Sequence, residues 1–465
     1  MKGFYRRALV VPTALPSYVQ APVDQWDHSK PILSVIIPCY NYGRYIRETL
    51  QSLQSQTFRD FETIVVDDGS NEELTLRVLD DLPNEGIQVL RQEKLNVATA
   101  LNLGISAARG RYVCRLDADD TIEPTYFEKC LCLLESNQGV AIAYSLVKTF
   151  GDENQIWLTE PFDLRLLLEY NHICAAAVFR RSVWEQVGGF DTAMDGFEDW
   201  EFWVRLGKAG FRGKLIAETL FNYRRHGTTL NIRSERRSGK LLDRIRTTHA
   251  DLYSDPEQIR EIQKSYRDIR VPNPFLNLSS KNQYQSSDGK QGVAIVSLRD
   301  SQATELLLHK ITSELLPQDT FHFILITTDR VSYERNRSLR EISSQAYPVD
   351  RFLDSYCWLE FVLNLIHTRT ARFFLVSNSK PGYEWIPLIK ARTSALVVDV
   401  VQDDAECSLS ARYDQFIDLH VTFSRHITKS LVDEFGVPAK KICSFSRTPP
   451  LAENLDNLIE VLAQG

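Results

Sequence analysis

Three carboxylates lie within four residues of one segment, CRLDADDT (114–121), namely Asp117, Asp119 and Asp120. Two carboxylates about 4 Å apart repel each other by roughly 4 kcal/mol at an effective dielectric constant near 20. In an extended segment, Asp117 and Asp119 project to the same side and Asp120 points away. A helix N-terminus stabilises one such charge and not three. The cluster therefore indicates a site for a positively charged ligand.

An EF-hand calcium loop does not explain this cluster. Asp117, Asp119 and Glu128 match positions 1, 3 and 12 of such a loop, but Ile122 stands at position 6, where glycine is required. A strand-like run also precedes the loop, where an EF-hand has a helix. The remaining interpretation is a shallow site for Mg²⁺ or Mn²⁺, held by few carboxylates and completed by the phosphates of a ligand.

The elements that must position this cluster alternate along the chain. Apolar residues spaced by three and four predict helices, and strands that alternate with helices predict a mostly parallel sheet covered on both faces. The fold class is therefore α/β. The predicted strands are 33–38, 61–67, 87–91 and 110–117; the predicted helices carry Ile46, Leu50 and Leu53, then Leu74, Val78 and Leu82, then Leu101, Ile105 and Ala108.

Polar residues follow three of these strands, in the segments PCYN (38–41), DDGS (67–70) and DADD (117–120). Ligands of parallel sheets bind beyond the carboxyl ends of the strands, so the three segments are expected at one edge. DDGS can equally be a turn that closes its strand and caps the next helix. Both interpretations stay open at this point.

Composition limits the classes of partner and compartment. The chain has 465 residues, a net charge of -7 and eight cysteines without paired CxxC units. This charge gives no basic field for a phosphate backbone, so nucleic acid is not expected as a partner. The cysteines are expected to be reduced core thiols, which favours a cytoplasmic protein. No apolar run is long enough to span a membrane, which leaves peripheral membrane contact open.

The length indicates two or three domains. Residues 1–30 are expected to be a leader or linker, and residues 31–234 form the predicted α/β domain. A charged segment of one or two helices and a polar linker are predicted for residues 235–291. Strand-like runs then return in a second α/β domain, residues 292–465, at GVAIVSL, FHFILITT, RFFLVSN and ALVVDVVQD.

The segments from SVIIPCYNYGRYIRETL through VVDDGS to GRYVCRLDADD resemble family-2 glycosyltransferases of the GT-A fold. The resemblance covers about residues 31–234. It implies a nucleoside-diphosphate sugar, most often a UDP-sugar, as donor and a divalent metal, Mn²⁺ or Mg²⁺, as cofactor. It also implies a glycan, lipid-linked or protein acceptor in the synthesis of surface polysaccharides or glycoconjugates.

The resemblance also assigns residues on the donor side. Asp117 and Asp119 match the DxD-type pair at the ribose and the metal, and Asp120 is a further metal candidate. His226, in FNYRRHG (221–227), is the fourth candidate metal ligand, although a surface histidine explains it equally well. The residues that the resemblance places at the donor are Pro38, Tyr40, Asn41, Asp67, Asp68, Asn96, Asp117 and Arg224.

The segment GGFDTAMDGFEDWEFWVRL (188–206) resembles the acceptor region of the family, which implies that Asp199 is the general base and Glu198 its catalytic neighbour. A sugar hydroxyl is a poor nucleophile until its proton is removed. The alternative is that both acids merely favour the start of a helix. One departure from the family is Ala98 in NVATALN, where relatives carry glycine; its loss puts local donor contacts in doubt.

The second domain resembles, more faintly, the N-terminal Rossmann-like half of GT-B glycosyltransferases such as family 4. Because donors of that group bind mainly in the other half, the resemblance implies no transfer chemistry of its own. A role in acceptor binding or oligomer contact, or a place within a longer multidomain chain, stays open.

The function predicted from the sequence is therefore a metal-dependent, inverting glycosyltransferase. A non-catalytic scaffold that binds sugar nucleotides or glycans is the first alternative. A nucleotidyltransferase is the second, but it needs a glycine-rich phosphate loop where this chain has PCYNYGRY (38–45).

Overall fold

The computed structural model describes residues 27, 29–157, 159–227, 238–271, 274–275, 278, 292–298, 321–328, 343 and 345–444. Most of the predicted leader and most of the polar linker lie outside these residues. No helix in the described part of the chain is long and apolar enough to cross a membrane. All eight cysteines are free, and seven of them are buried, as expected for reduced core thiols.

The first part of the chain builds one large sheet, and the four strands and three helices predicted there are confirmed. Its strands are β1 (Leu33–Cys39), β2 (Phe61–Asp68), β3 (Gln88–Gln92), β4 (Tyr112–Arg115), β5 (Thr121–Ile122), β6 (Val140–Gly151), β7 (Ile156–Trp157), β8 (Val178–Arg180) and β9 (Arg212–Arg225). Its helices are α1 (Ile46–Gln54), α2 (Glu73–Asp81), α3 (Val97–Ala107), α4 (Tyr126–Ser136), α5 (Leu164–Leu167), α6 (Arg181–Val187) and α7 (Glu198–Lys208).

The strand order of this sheet is β3-β2-β1-β4-β8-β6-β9-β5, with β7 paired to β6. Strands β3, β2, β1 and β4 are parallel, so their carboxyl ends meet at one edge. Beyond β4 the directions are mixed, since β8 is antiparallel to both β4 and β6. The expected mostly parallel sheet is therefore confirmed for its first half.

The charged segment is helical, as predicted, but its described residues form three helices and not one or two, namely α8 (Ser238–Thr248), α9 (Ala250–Ser254) and α10 (Pro256–Ser265). Asp255 caps α10, because its carboxylate accepts hydrogen bonds from the backbone N–H groups of Glu257 and Gln258.

The second sheet has the order β12-β11-β10-β13-β14-β15-β16 among the described strands, and every pair in it is parallel. All four strand-like runs of the sequence are strands of this sheet. The strands are β10 (Gly292–Leu298), β11 (Phe321–Thr327), β12 (Ala346–Pro348), β13 (Phe373–Ser377), β14 (Leu396–Val401), β15 (Leu419–Thr422) and β16 (Ile442–Ser444); the helices are α11 (Trp358–Thr368), α12 (Lys380–Arg392), α13 (Asp404–Tyr413) and α14 (Arg425–Lys429).

Helix α4 lies at the junction of the two sheets and is buried along its whole length. It carries Glu128 and Lys129, which exchange hydrogen bonds with Arg369 and with the carbonyl of Ala346 in the second part of the chain. A helix buried on all sides is normally apolar, so its charged residues require buried partners.

Candidate active site

The carboxyl ends of β1, β2 and β4 open into a cleft of about 820 Å³. Most residues predicted for the site lie in its lining. They are Pro38, Tyr40, Asn41, Asp68, Asn96, Asp117, Asp119, Glu198, Asp199 and His226. Asp67, Asp120 and Arg224 do not line the cleft. Tertiary structure thus brings together residues that span almost two hundred positions of the sequence.

One wall of the cleft is organised by Asp68 at the end of β2. Its buried carboxylate accepts hydrogen bonds from the backbone N–H of Leu95 at 2.9 Å and from the side-chain amide of Gln92 at 2.7 Å, and it pairs with Lys94. The Lys94 ammonium also lies 3.7 Å from the centroid of the Tyr40 ring. Asp68 therefore fixes a wall on which an aromatic ring and a cation face the cleft together.

Asp67 and Asn41 shape the turns beneath this wall. The Asp67 carboxylate accepts a hydrogen bond from the backbone N–H of Ser70 at 2.9 Å. The side-chain oxygen of Asn41 accepts hydrogen bonds from the N–H groups of Asn71 and Glu72, at 2.9 and 3.1 Å, and Asn41 has a φ of 59°. Asp67 therefore closes the predicted turn and Asp68 lies in the cleft lining, but the predicted capping of the next helix is wrong, because α2 has no side-chain hydrogen bond at its N-cap, Glu72.

Asn96 begins α3, and its side-chain oxygen accepts the N–H of Thr99 at 2.9 Å. Its amide group donates to the carbonyl of Thr192 at 2.8 Å and so links α3 to the segment that precedes α7. Ala98 is completely buried within α3. The alanine that departs from the family pattern therefore packs as part of a regular helix.

The acidic cluster divides between the cleft and the interior. Asp120 is buried, and one of its oxygens accepts the N–H of Arg224 at 2.8 Å while the other has no hydrogen-bond partner among the described residues. Burial and the neighbouring charges of Asp119 and Asp117 raise the pKa of Asp120 well above its usual value. Asp120 therefore anchors the end of β9 from behind the cleft.

Asp119 faces the cleft and contacts His226, whose Nε2 lies 2.9 Å from a carboxylate oxygen. Burial, followed by the charge of Asp117, raises the pKa of Asp119 to about 6, although the hydrogen bond with His226 opposes this shift. The His226 ring packs against Tyr45, with 4.4 Å between the ring centroids. The pair is a fixed oxygen and nitrogen donor set at the cleft surface.

Arg115 is the functional residue that sequence reasoning missed. Its buried guanidinium donates to both oxygens of Asp117, at 3.1 and 3.2 Å, and to Glu198 at 2.6 Å. It thereby ties the acidic cluster after β4 to the start of α7. The available signal was a charged residue ending the otherwise uncharged buried run YVCR (112–115).

Glu198 and Asp199 form the first turn of α7, so the helix-start interpretation is correct as far as it goes. Burial raises the pKa of Glu198 to about 7, against the opposing charge of Arg115. Burial also raises the pKa of Asp199. The Asp199 carboxylate accepts hydrogen bonds from the Asn171 side chain at 3.2 Å and the Trp200 N–H at 2.8 Å. Both acids also line the cleft.

Arg224 supports the cleft from outside. Its Nε donates to the carbonyl of Asp119 at 2.7 Å, another nitrogen pairs with Glu48, and its guanidinium lies 4.2 Å from the centroid of the Phe150 ring. In this arrangement Arg224 positions the backbone of a predicted metal ligand. Its predicted contact with the donor stays a prediction.

The donor set fits a cation that takes few protein ligands. Within the described ranges, no group of three or more His, Cys, Asp or Glu side chains is arranged to hold a metal ion alone. Asp119 and His226 supply two donors, and the Asp117 carboxylate beside them is neutralised by Arg115. Mg²⁺ and Mn²⁺ are commonly bound by one or two protein ligands together with substrate phosphates, so the residues fit such an ion.

Comparison with known proteins gives a family for the first sheet. The family described as glycosyl transferase family 2 matches residues 34–190. The chain is 32% identical to the amylovoran biosynthesis glycosyltransferase AmsB of Erwinia amylovora over 207 residues, which cover 41% of this chain and 68% of AmsB. It is 27% identical to a chondroitin synthase of Escherichia coli over 212 residues, which cover 44% of this chain but only 30% of that synthase.

A crystal structure of S. aureus TarS in complex with UDP-GlcNAc matches with 21% identity and a TM-score of 0.38, and the match covers 42% of this chain and 59% of that one. A superposition of this quality carries no argument about ligands. Each of these two sequence matches covers less than half of the present chain.

Proposed function

Because this chain belongs to glycosyl transferase family 2, we propose that it transfers a sugar from a nucleoside-diphosphate donor to an acceptor hydroxyl during polysaccharide or glycoconjugate synthesis. The observation that carries the proposal is a single cleft lined by both a cation-type donor set, Asp119 and His226, and a held carboxylate, Asp199. A glycosyltransferase needs both groups, because the diphosphate of the donor leaves as an anion and the hydroxyl of the acceptor loses its proton.

The donor would occupy the part of the cleft formed by the ends of β1, β2 and β4. Tyr40 and Lys94 offer a ring and a cation on one wall, which suits a nucleobase and its diphosphate. Asp119 and His226 would hold Mg²⁺ or Mn²⁺, and Asp117 would lie beside the ribose. A bound divalent cation would stabilise the negative charge that develops on the departing diphosphate.

Asp199 is the proposed general base. It would take the proton of the acceptor hydroxyl as that oxygen bonds to the anomeric carbon and the carbon–phosphate oxygen bond breaks. Attack opposite the leaving group inverts the anomeric configuration. The raised pKa of Asp199 makes its carboxylate a stronger base, and the hydrogen bond from Asn171 orients it.

Arg115 and Glu198 are proposed positioning residues for this base. Arg115 holds Glu198 at 2.6 Å, and Glu198 precedes Asp199 in the first turn of α7. The same guanidinium holds Asp117. Movement of either acidic group would therefore disturb both the donor side and the base.

The second sheet is proposed to be a Rossmann-like domain that resembles the N-terminal half of a GT-B enzyme. The order β12-β11-β10-β13-β14-β15 supports this, since it is the 3-2-1-4-5-6 order of doubly wound sheets. We propose no transfer chemistry for this second domain.

A donor screen tests the proposed function. Release of nucleoside diphosphate would be followed with UDP-, GDP- and dTDP-sugars and Mn²⁺ or Mg²⁺, with a chelator control. We expect metal-dependent release from one donor, and its loss in Asp119→Ala. Asp243→Asn is the matched control, because this carboxylate is exposed on α8 and its nearest cation is 3.8 Å away.

The scaffold alternative makes a different prediction. A non-catalytic protein would bind the same donor and metal in calorimetry but release no diphosphate, and Asp199→Asn would change nothing. Absence of both binding and release across the panel would overturn the proposed function.

A further inference from the structure

An apolar row crosses three strands and enters the same cleft as Asp199. Val147 of β6 pairs with Trp157 of β7 on one side and with Phe221 of β9 on the other. All three residues line the cleft. Residues in register on neighbouring strands project to the same face of a sheet, so the row forms one continuous wall.

Tyr223 extends this wall along β9. It lies two residues after Phe221, hence on the same face of the strand, and it also lines the cleft. Its ring centroid lies 5.1 Å from that of Trp157, with 48° between the ring planes. Trp157, Phe221 and Tyr223 are called the aromatic wall below.

The exposure of the aromatic wall is uneven. Phe221 is 2% exposed, as expected for a core residue, whereas Trp157 is 37% exposed. Core packing explains the low exposure of Phe221 but not the exposure of Trp157. Polar residues accompany the exposed indole in the cleft lining, namely Thr159, Asn171 and His172. The surface around Asp199 thus combines an open aromatic face with groups that form hydrogen bonds.

The aromatic wall lies on strands other than those that carry the predicted donor wall. Tyr40 follows β1 and Asp68 ends β2, whereas the aromatic wall belongs to β7 and β9. Strand β9 leads from Tyr223 to His226, which contacts Asp119, so the Tyr223 end of the wall adjoins the candidate metal pair. The indole of Trp157 lies on β7, a strand that carries none of the predicted donor residues.

We propose that the aromatic wall is an acceptor subsite in which Trp157 stacks on the apolar face of a pyranose ring, so that the acceptor of this protein is a carbohydrate chain. This rests on the proposed function and deepens it. A pyranose ring presents C–H groups on its faces and hydroxyls at its edge. An exposed indole in a cleft that the hydroxyl of Thr159 and the amide of Asn171 also line complements both.

Calorimetry of the full chain with oligosaccharides tests the subsite without any turnover. The probes are maltotriose, chitotriose, lactose and a chondroitin tetrasaccharide, each titrated into wild type, Trp157→Ala, Trp157→Phe and Ile156→Ala. Ile156 is the matched control, because it is 43% exposed on the same strand but projects to the opposite face and does not line the cleft.

We expect wild type to bind at least one probe and Trp157→Ala to bind it about tenfold more weakly or worse, since stacking contributes roughly that factor. Trp157→Phe should retain most of the affinity, and Ile156→Ala should match wild type. In the absence of acceptor, Ile156→Ala should hydrolyse the donor at the wild-type rate, because Ile156 does not line the cleft.

Two outcomes would overturn the inference. They are no binding of any probe to wild type, or a Trp157→Ala variant that binds no more weakly than Ile156→Ala. Failure of the proposed function looks different. In that case wild type would not hydrolyse any donor, while binding of oligosaccharides would still depend on Trp157.

Discussion

The guanidinium of Arg369 donates to both carboxylate oxygens of Glu128, at 2.8 and 2.9 Å, across a junction in which both side chains are buried. Glu128 lies on α4 of the first part of the chain, and Arg369 follows α11 of the second. The hydroxyl of Thr57 donates to the same carboxylate at 2.8 Å. The hydroxyl of Tyr347 is a further donor to it. One saturated buried carboxylate thus joins the two sheets.

A second buried ion pair lies next to the first. The Lys129 ammonium lies 2.9 Å from Glu218 of β9 and donates to the carbonyl of Ala346 at 2.8 Å. Because β9 also carries Tyr223 and ends next to His226, the junction and the cleft share a strand. The second sheet is therefore packed against an element that shapes the candidate active site.

Arg369→Met is expected to destabilise the protein by about 3–5 kcal/mol, because it leaves Glu128 buried without its cation. The double variant Arg369→Met/Glu128→Gln should recover a large part of this loss, since no charge is then stranded. Urea denaturation provides the measurement. Arg392→Met is the control; its pair with Glu360 is partly exposed to solvent and should contribute less than about 1 kcal/mol. Equal losses in Arg369→Met and Arg392→Met would contradict the role of the pair.

Asp199→Asn is expected to lower the transfer rate by about 10²–10⁴-fold, as for the loss of a general base, with donor affinity unchanged. Because burial raises the pKa of Asp199, wild-type activity should increase with pH through a midpoint above the ordinary aspartate range. The pH–rate profile of kcat/KM gives the midpoint. A variant that keeps wild-type kcat would exclude Asp199 as the base.

His226→Gln is expected to weaken Mn²⁺ binding about tenfold or more and to leave the free energy of unfolding nearly unchanged, since the imidazole is at the cleft surface. Paramagnetic resonance of free Mn²⁺ in the presence of UDP measures the affinity. His426→Gln is a suitable control, because this histidine is exposed and its partner is Asp404. Identical Mn²⁺ affinities in the two variants would remove His226 from the metal site.

Glu406 gives a pH-dependent prediction for stability. Burial raises its pKa to about 8 from the ordinary value of 4.5, and one of its oxygens lacks a hydrogen-bond partner among the described residues. Between these two values the unfolded chain releases the proton while the folded protein retains it, so the free energy of unfolding falls as the pH rises. Below pH 4.5 both the folded and the unfolded chain keep the proton, so the free energy of unfolding does not fall for this reason.

Glu406→Gln has no proton to release at this position. Its free energy of unfolding should therefore exceed that of wild type by an amount that increases from pH 5 to pH 8, on the order of 1 kcal/mol or more at the upper end. Thermal or urea denaturation at several pH values tests this. Glu384→Gln, at an exposed position, is the matched control. A constant difference for Glu406→Gln would contradict the raised pKa.

The strands and helices of the first sheet, and the edge at which the candidate site lies, follow from local patterns in the sequence. Strand and helix periodicity reflects which side of a local segment is buried, and that information is local. The carboxyl ends of parallel strands necessarily meet, so the sequence predicts that PCYN, DDGS and DADD lie together. The motif order also indicated the family, and Asp117, Asp119, Glu198 and Asp199 do share one cleft.

The pairings between residues far apart in the chain are set by tertiary packing. Arg115 meets Glu198 across 83 positions, and Arg369 meets Glu128 across 241. Trp157 joins Phe221 through the register of β6, which no single segment records. Arg224 packs against Phe150 and donates to the Asp119 carbonyl, two contacts that its own segment does not predict. Such contacts depend on how helices and strands pack against one another. Local patterns in the sequence contain no information about this packing.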